Sequence, residues 1–327
     1  MDLQNRRDPE VTFIIGAPRS GTTWLAKVFD SHPDIVFRNE PDISLREDRL
    51  PVLCRAADIE RHRELARDYL RSLIGITTLK ASGTLPVFPK SYRRAVPAAL
   101  RQAMIYGLHA VDSLGGKGCW SSRVPIPDCV RRVRIPPAVV IKSVSARGRA
   151  RLFAEALPSS RLIFMLRHPC AQVESTLRGM RLGKLAHPTW LAEVLAADQA
   201  RRLGLTADTF AALTLVEKLA WHWAVMNQKV LDDLTGLPRV MVVRYEDIVA
   251  RATTLLKLLF EFAGLSWHEQ TDAFVERSTN YDGPQGYFSV WRNAGEATVR
   301  WRQSLPREDQ GRILDISRRV AAGQLYR

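Results

Sequence analysis

The chain has 327 residues, of which 46% are apolar and 25% charged, and these proportions exclude a disordered, collagen-like or low-complexity protein. Its formal net charge of +14 favours anionic partners. No apolar run approaches the roughly 18 residues that a membrane-spanning helix needs, and the amino terminus lacks the apolar stretch of a secretory signal. We therefore expect a soluble, cytoplasmic protein.

The positive charge is unevenly placed along the chain. Residues 123–151 contain eight basic side chains and one acidic side chain, so this stretch carries half of the net charge. Such a surplus favours a nucleotide, an anionic substrate, nucleic acid or a lipid surface as partner, unless the side chains are simply solvated. Because the chain has no helix-turn-helix, zinc or aromatic-platform signature, we expect no nucleic-acid partner and no metal.

Alternating strands and helices are predicted along most of the chain. A first apolar strand over 11–15 ends at Gly16, a helix runs from Thr22 to Phe29, and a second strand covers 35–37. The later elements are a charged helix over 58–73, strands over 138–141, 162–166 and 240–243, and helices over 148–157, after Pro169, and over 208–234, 252–263 and 307–322. This alternation predicts an α/β fold with three layers, in which helices flank a mostly parallel central sheet.

Residues 42–135 do not follow the alternation. The stretch from 114 to 137 is rich in glycine and proline, which predicts loops and turns. No linker is long enough to separate two domains, so we predict a single domain over 1–327. Within it, 42–135 is predicted to be an elaboration that covers the substrate at the carboxyl ends of the strands, the edge where open α/β sheets bind ligands.

The segment after the first strand has the spacing of a phosphate-binding loop. It reads G-x-x-x-x-G-T-T from Gly16 to Thr23, where a nucleotide-binding P-loop ends in G-K-[ST]. Thr22 takes the lysine position, and Arg19 supplies a cation three residues earlier. Backbone N–H groups at a helix start cradle anions, and Arg19 can add charge-assisted hydrogen bonds. We predict a P-loop-like anion site, with a helix start capped by Ser20 or Thr22 as the alternative.

Cationic residues follow the other strong strands, at Lys142, Arg167 and Arg244. A kinase that uses magnesium needs an acidic ligand near such a strand end. The pattern instead favours a polyanionic nucleotide that is held by side chains without a metal. A P-loop kinase with an altered loop stays an alternative.

Two motifs resemble one known family. PRSGTTW, from Pro18 to Trp24, is similar to the 5′-phosphosulfate loop of sulfotransferases, which use 3′-phosphoadenosine 5′-phosphosulfate (PAPS). FMLRHP, from Phe164 to Pro169, followed by Ser175, is similar to their 3′-phosphate site. VRYED over 243–247, before a helix, resembles a segment common in these enzymes, and WRxxL over 301–305 is a weaker likeness. The resemblance spans nearly the whole chain but offers little for 42–135.

The resemblance implies how PAPS would be bound. Arg167 leaves a strand end and Ser175 lies about two helical turns further on, so both can face the 3′-phosphate. Arg292 would complete that pocket. Trp24 would lie against the adenine, with a core aromatic as the alternative. The 5′-phosphosulfate would be bound by Arg19 and by the amides of Ser20, Gly21, Thr22 and Thr23.

The acceptor hydroxyl needs a base. Cytosolic aryl and steroid sulfotransferases have a histidine in a Lys-Thr-His context, whereas this chain has Lys142-Ser143-Val144-Ser145. Carbohydrate and tyrosyl-protein sulfotransferases use a glutamate shortly after the second strand, where Glu40 lies, 21 residues after Arg19. We predict Glu40 as the general base, with a pKa raised towards neutrality by partial burial. The alternative is that Glu40 is an ordinary surface glutamate without a catalytic role. Lys142 would stabilise the transferring group.

The sequence therefore predicts a PAPS-dependent sulfotransferase that needs no metal. Its acceptor would be a hydroxyl group of a sugar, a lipid-linked glycan, another small molecule or a tyrosyl residue. A kinase-like phosphotransferase and a non-catalytic nucleotide-binding relative are the alternatives.

Overall fold

Five parallel strands form the centre of a computed structural model that describes residues 10–114, 124–131, 137–186, 188–281, 283, 286–287, 289–291 and 294–326. The strands are β1 (Val11–Gly16), β2 (Ile35–Asn39), β3 (Ala138–Ser143), β4 (Arg161–Leu166) and β5 (Val240–Arg244). Their order across the sheet is β2-β3-β1-β4-β5, and each neighbouring pair is parallel. The carboxyl ends of the strands therefore meet at one edge, with β1 in the middle.

Helices pack on both faces of this sheet. The α-helices are α1 (Thr22–Asp30), α2 (Pro41–Ser44), α3 (Ile59–Ile74), α4 (Leu79–Ser82), α5 (Ala95–Leu114), α6 (Ala150–Ala156), α7 (Pro169–Arg181), α8 (Asp198–Arg202), α9 (Ala207–Ala212), α10 (Leu215–Leu234), α11 (Tyr245–Ala250), α12 (Ala252–Phe262), α13 (Glu269–Thr279), α14 (Ala294–Val299), α15 (Trp301–Ser304), α16 (Arg307–Ser317) and α17 (Ala321–Gln324). Short 3₁₀ helices cover Ala56–Asp58, Ala146–Arg149 and Thr189–Ala196. Every helix within the described ranges is too short or too polar to cross a membrane.

Alternate residues of β1 pack on opposite faces of the sheet. Phe13 belongs to one buried cluster with Phe153 of α6, whereas Ile14 belongs to another with Phe29 of α1 and Phe260 of α12. Because both faces are buried, the strands read as nearly continuous apolar runs. The prediction of a three-layer α/β fold around a parallel sheet is confirmed.

Two predicted helices are each divided in the structure. The helix predicted over 208–234 is split into α9 and α10, because Thr214 begins a new helix with a capping box. The Thr214 hydroxyl accepts a hydrogen bond from the Glu217 N–H, and the Glu217 carboxylate accepts one from the Thr214 N–H at 2.9 Å. The terminal helix predicted over 307–322 likewise ends at Ser317, and α17 begins at Ala321.

The region 42–135 contains more helix than its composition predicts, above all the 20-residue helix α5. Two buried cations, one on β2 and one on α1, hold it in place. Arg38 of β2 donates to both carboxylate oxygens of Asp128. Lys27 of α1 donates to the carbonyl oxygens of Thr84 and Pro86, at 2.7 and 2.9 Å. These contacts keep the region against β2, and its role in covering a substrate stays a prediction.

Asp128→Ala should destabilise the protein, because it leaves the guanidinium of Arg38 buried without its carboxylate. The Arg38 side chain is 3% exposed and that of Asp128 21%, and a hydrogen bond to a charged group is worth about 1.5–3 kcal/mol. Urea unfolding should show a loss of about that size in the free energy of unfolding. Asp68→Ala, which removes an exposed pair with Arg71, is the control and should cost less than about 0.5 kcal/mol. Equal losses for the two variants would contradict the role given to Asp128.

Candidate active site

The phosphate loop lies at the centre of the carboxyl edge of the sheet. It leaves β1 at Gly16, and α1 begins at Thr22 with Gly21 as its N-cap residue. The first intrahelical bond runs from the Trp24 N–H to the Gly21 carbonyl, at 3.0 Å. Among the described residues no side chain caps this helix, so the alternative of a Ser20 or Thr22 cap is wrong. The N–H groups at the start of α1 thus have the arrangement that binds anions.

Two glycines let the loop pack closely against its surroundings. A Cβ atom at Gly16 would lie 2.6 Å from the Met165 carbonyl oxygen, and one at Gly21 would lie 2.4 Å from the ring of Tyr245. Arg19 has a φ of 71°, a left-handed conformation that costs a non-glycine residue about 1–3 kcal/mol. The loop is therefore held in one conformation by β4 and by Tyr245.

The guanidinium of Arg19 reaches the segment predicted to bind the 3′-phosphate. Its Nε donates to Ser175 Oγ at 3.2 Å, and its Nη2 donates to the Tyr287 carbonyl oxygen at 3.1 Å. Its Cζ lies 4.2 Å from the centre of the Tyr287 ring. Arg167 Nη1 in turn donates to the Arg19 carbonyl oxygen at 2.8 Å. Hydrogen bonds thus join the residues predicted to bind the 5′-phosphosulfate to those predicted to bind the 3′-phosphate.

Arg167 is fixed where β4 ends. Its Nη2 donates to the Ala297 carbonyl oxygen at 2.6 Å, and its Cζ lies 5.0 Å from the centre of the Tyr245 ring. Its Nε is buried and has no acceptor among the described residues. A buried donor without an acceptor costs free energy, which an anionic ligand could recover. Arg292, predicted for the same pocket, lies outside the described residues.

Glu40 and Lys142 form an ion pair on the other side of the loop. The strand register pairs Asn39 with Lys142, so Glu40 lies just beyond the end of β2. Its Oε1 accepts a hydrogen bond from Lys142 Nζ, and its Oε2 lies 3.4 Å from Lys80 Nζ. The side chains of Glu40 and Lys142 are 16% and 3% exposed. The carboxylate therefore lies between two ammonium groups at the edge of the sheet.

The two lysines decide the ionisation of Glu40. Burial raises its pKa, but Lys142 and Lys80 together outweigh burial, so the pKa of Glu40 is lowered. The prediction of a pKa raised towards neutrality is wrong, because it considered burial without these two cations. Burial also lowers the pKa of Lys142, and the carboxylate of Glu40 opposes that effect. Each group therefore helps to keep the other charged.

A cleft of about 350 Å³ brings most of the predicted site residues together. Ser20 and Ser175 are buried and do not line it. Lys80 and Tyr245 also line the cleft, although neither was predicted as a site residue. Lys80 lies in the region without family resemblance, so no motif pointed to it, whereas Tyr245 lies in the VRYED segment and could have been identified from that motif. The predicted residues that line the cleft are Arg19, Gly21, Thr22, Thr23, Trp24, Glu40, Lys142 and Arg167.

Trp24 lies mainly in the core. It is 5% exposed, its Nε1 donates to Ser278 Oγ at 3.0 Å, and its ring meets that of Tyr245 edge-on. This position agrees with the core-aromatic alternative, although part of the residue reaches the cleft. A contact with adenine stays a prediction.

Two other residues at this edge of the sheet do not line the cleft. Arg244, which we expected to add to the cationic edge, forms a two-pronged ion pair with Asp247, with both distances 2.7 Å. Among the described residues, the His168 imidazole makes no capping hydrogen bond at the start of α7, and it stacks on Trp301 with the ring centres 4.4 Å apart. Burial lowers the pKa of His168 to about 4.

Gly21→Ala should weaken binding of 3′-phosphoadenosine 5′-phosphate (PAP), a nucleotide with the two phosphates that the motifs predict, by about tenfold or more, because the new methyl group collides with Tyr245 and displaces the loop. Gly236→Ala is the matched control: Gly236 has a φ of +76°, and no described atom lies within 4 Å of a Cβ there. It should lose stability through backbone strain while keeping its affinity for PAP. Calorimetric titration gives both affinities, and equal values would contradict the tight packing of the loop.

Comparison of the sequence with known proteins identifies one family. A model of the Sulfotransferase family matches residues 10–269. Human carbohydrate sulfotransferase 6 is 23% identical, over 90% of this chain and 74% of the relative. Mouse carbohydrate sulfotransferase 7 is 26% identical, over 89% and 68%. A solved structure, the sulfotransferase domain from the curacin biosynthetic pathway, has 17% identity and a TM-score of 0.46 over 96% of this chain and 98% of that one.

The family model covers most of this chain, including the phosphate loop, Glu40, Lys142 and the Arg167 segment. The resemblance to PAPS-dependent sulfotransferases that the motifs predict is thereby confirmed, and the chain belongs to the sulfotransferase family.

Proposed function

We propose that this chain transfers the sulfuryl group of PAPS to the hydroxyl group of an acceptor bound in the cleft, with Glu40 as the general base. The observation that carries the proposal is that the phosphate loop, Arg167, and the pair of Glu40 and Lys142 all line one cleft. In-line transfer requires the leaving phosphate and the incoming oxygen on opposite sides of the sulfur. Glu40 follows β2 and the phosphate loop follows β1, with β3 between these two strands. The base and the leaving phosphate can therefore face the sulfur from different sides, which supports this geometry.

The donor side of the cleft offers groups suited to phosphate. Arg19 and the N–H groups at the start of α1 would stabilise the charge that builds on the leaving phosphate. The buried Nε of Arg167 needs an acceptor. The Ser175 hydroxyl accepts from Arg19 and can donate its own proton to a phosphate oxygen. Together these groups support binding of both phosphates of PAPS.

On the acceptor side, Glu40 takes the proton of the attacking hydroxyl. Its lowered pKa keeps it ionised at neutral pH, which is the form that accepts a proton. The acceptor oxygen bonds to sulfur, the bond from sulfur to the 5′-phosphate oxygen breaks, and PAP leaves with the bonding electrons. The ammonium of Lys142 balances negative charge on the transferring group. The location of this reaction in the cytoplasm stays a prediction.

Incubation of the protein with PAPS and a panel of hydroxyl compounds tests the proposal. Mass spectrometry should show an acceptor that gains a sulfuryl group while PAP is released. ATP in place of PAPS is the control that separates sulfuryl transfer from kinase chemistry. Phosphorylated products with ATP, or binding of PAP without transfer to any acceptor, would refute the proposal.

Glu40→Gln should lower kcat about 10²–10⁴-fold, because glutamine keeps the shape of the side chain but cannot accept a proton. The affinity for PAP should barely change. Glu60→Gln, at an exposed position of α3, is the control and should leave kcat unchanged. An unaltered rate for Glu40→Gln, or an equal loss of PAP affinity, would remove Glu40 from the role of base.

The pH profile of kcat/KM should follow from the lowered pKa of Glu40. As the pH falls through that pKa, the carboxylate is protonated and the rate falls, so the acidic limb should lie below the usual glutamate value of 4.5. The Glu40→Gln variant should lack this limb. An acidic limb near neutral pH that disappears in the variant would contradict the effect of the two lysines.

Ser175→Ala should weaken the preference for PAP over adenosine 5′-monophosphate by about tenfold, because a hydrogen bond to the charged 3′-phosphate is lost. Thr176→Ala is the matched control, since the Thr176 hydroxyl donates to the Gln172 carbonyl oxygen of the same helix. Equilibrium binding of both nucleotides to both variants makes the comparison. Unchanged discrimination in Ser175→Ala would show that the 3′-phosphate binds elsewhere.

A further inference from the structure

A second cavity, which we call the side cavity, opens from the cleft beside β2. Its volume is about 460 Å³, and it shares Thr23, Asn39, Ser289 and Val290 with the cleft. Asn39 directly precedes Glu40, so the side cavity begins next to the proposed base. Because the nucleotide is assigned to the loop and to the end of β4, the side cavity is the space available to the remainder of an acceptor.

The walls of the side cavity are mainly apolar. They come from α1, from β2, from the segment after α4, from α5 and from the segment 289–291 before α14. Walls of this kind bind hydrocarbon, and cavities of this size enclose much of a small ligand. The apolar side chains are those of Phe37, Leu85, Pro86, Tyr106, Val290 and Trp291.

Lys27 is the one charged side chain among the described residues of these walls, and its donors are already used. Its ammonium reaches Asp30 Oδ2 at 2.7 Å and the carbonyl oxygens of Thr84 and Pro86 at 2.7 and 2.9 Å. An ammonium group has three donors, so Lys27 has none left for a ligand.

Few polar side chains of the walls could therefore bind the hydroxyl groups of a sugar. A hydroxyl that enters a cavity without finding a partner loses its hydrogen bonds to water, which disfavours a bare glycan there. The polar groups in question are the side chains of Thr23, Asn39, Thr84 and Ser289 and the hydroxyl of Tyr106.

The mouth of the side cavity continues onto α5. Arg101, a charged residue in the middle of this helix, is turned inwards and donates to the carbonyl oxygens of Ser82 and Pro127. The helix buries Ile105 and Leu108 beside Arg101 but leaves several other apolar side chains exposed. Exposed apolar surface of this kind marks an interaction site. Five large hydrophobic residues of α5 are 41–89% exposed, namely Val96, Leu100, Tyr106, Val111 and Leu114.

We propose that the acceptor is an amphipathic alcohol, whose hydroxyl group lies at Glu40 and whose apolar body fills the side cavity. In longer acceptors that body reaches Tyr106 of α5 at the mouth of the side cavity. The inference rests on the proposed sulfuryl transfer, and the bonds made and broken are those given above, with the proton passing to Glu40. It narrows the predicted acceptors to those with a substantial hydrocarbon part.

A series of linear primary alcohols, with PAPS as donor, tests the inference. From butanol through hexanol and octanol to decanol, kcat/KM should rise by about fourfold per methylene until the cavity is filled, because each buried methylene adds binding free energy. Free oligosaccharides should be poorer acceptors than octanol. A flat series, or a preference for the oligosaccharides, would overturn the inference while leaving sulfuryl transfer intact. Absence of PAP binding and of transfer to every acceptor would instead refute the proposed function.

Tyr106→Asp gives a second, independent readout. The new charge at the mouth of the side cavity should flatten the dependence of kcat/KM on chain length, while the KM for PAPS stays unchanged. Val96→Asp is the matched control, because it puts the same charge on α5 about 15 Å away along the helix axis. If both variants keep the wild-type chain-length dependence and only binding to phosphatidylcholine vesicles changes, α5 is a membrane-docking face and the inference fails.

Discussion

The ion pair between Glu40 and Lys142 is the interaction on which the cleft depends. Lys142 lies on β3 inside the sheet layer, and a buried ammonium is costly unless a carboxylate lies beside it. Glu40 supplies that carboxylate from just beyond the end of the neighbouring strand β2, and it also lines the cleft. Lys80, from the region between β2 and β3, adds a second cation to the same carboxylate. Glu40, the proposed general base, therefore also balances the positive charges of Lys142 and Lys80.

The parallel sheet puts this pair opposite the nucleotide groups. Because β1 is the central strand, the phosphate loop lies between the end of β2 and the end of β4. The loop has little freedom there, since Tyr245 packs against Gly21 and Arg167 donates to the Arg19 carbonyl oxygen. A preformed anion site of this kind needs little reorganisation when charge develops on a leaving phosphate.

Local patterns in the sequence were sufficient to predict the parallel sheet and the phosphate loop. Apolar runs, the G-x-x-x-x-G-T-T spacing and the alternation of strands and helices each depend on neighbouring residues, and all reappear in the structure. The break before α10 was missed, although the Thr214 capping box is local and could have been found by its spacing. The helix α5 was not predicted, because its own sequence contains Pro97 and Gly107, which both disfavour a helix.

Contacts between distant segments could not be predicted in this way. The pKa of Glu40 depends on Lys80, and the position of Arg19 depends on Tyr287, and neither pairing has a local pattern. The basic stretch 123–151 illustrates the same point. Arg149 donates to the carbonyl oxygens of Leu50 and Pro51, and Arg151 pairs with Glu155. Part of the charge that suggested an anionic partner therefore serves the fold.

A double-mutant cycle on Glu40 and Lys142 tests the central claim most directly. Transfer rates would be compared for wild type, Glu40→Gln, Lys142→Met and the double variant, with PAP affinity and thermal unfolding as checks on the fold. If the two residues act as one unit, the double variant should lose about as much activity as Glu40→Gln alone. Additive losses, which would appear as the product of the two single effects, would contradict the dependence of each group on the other.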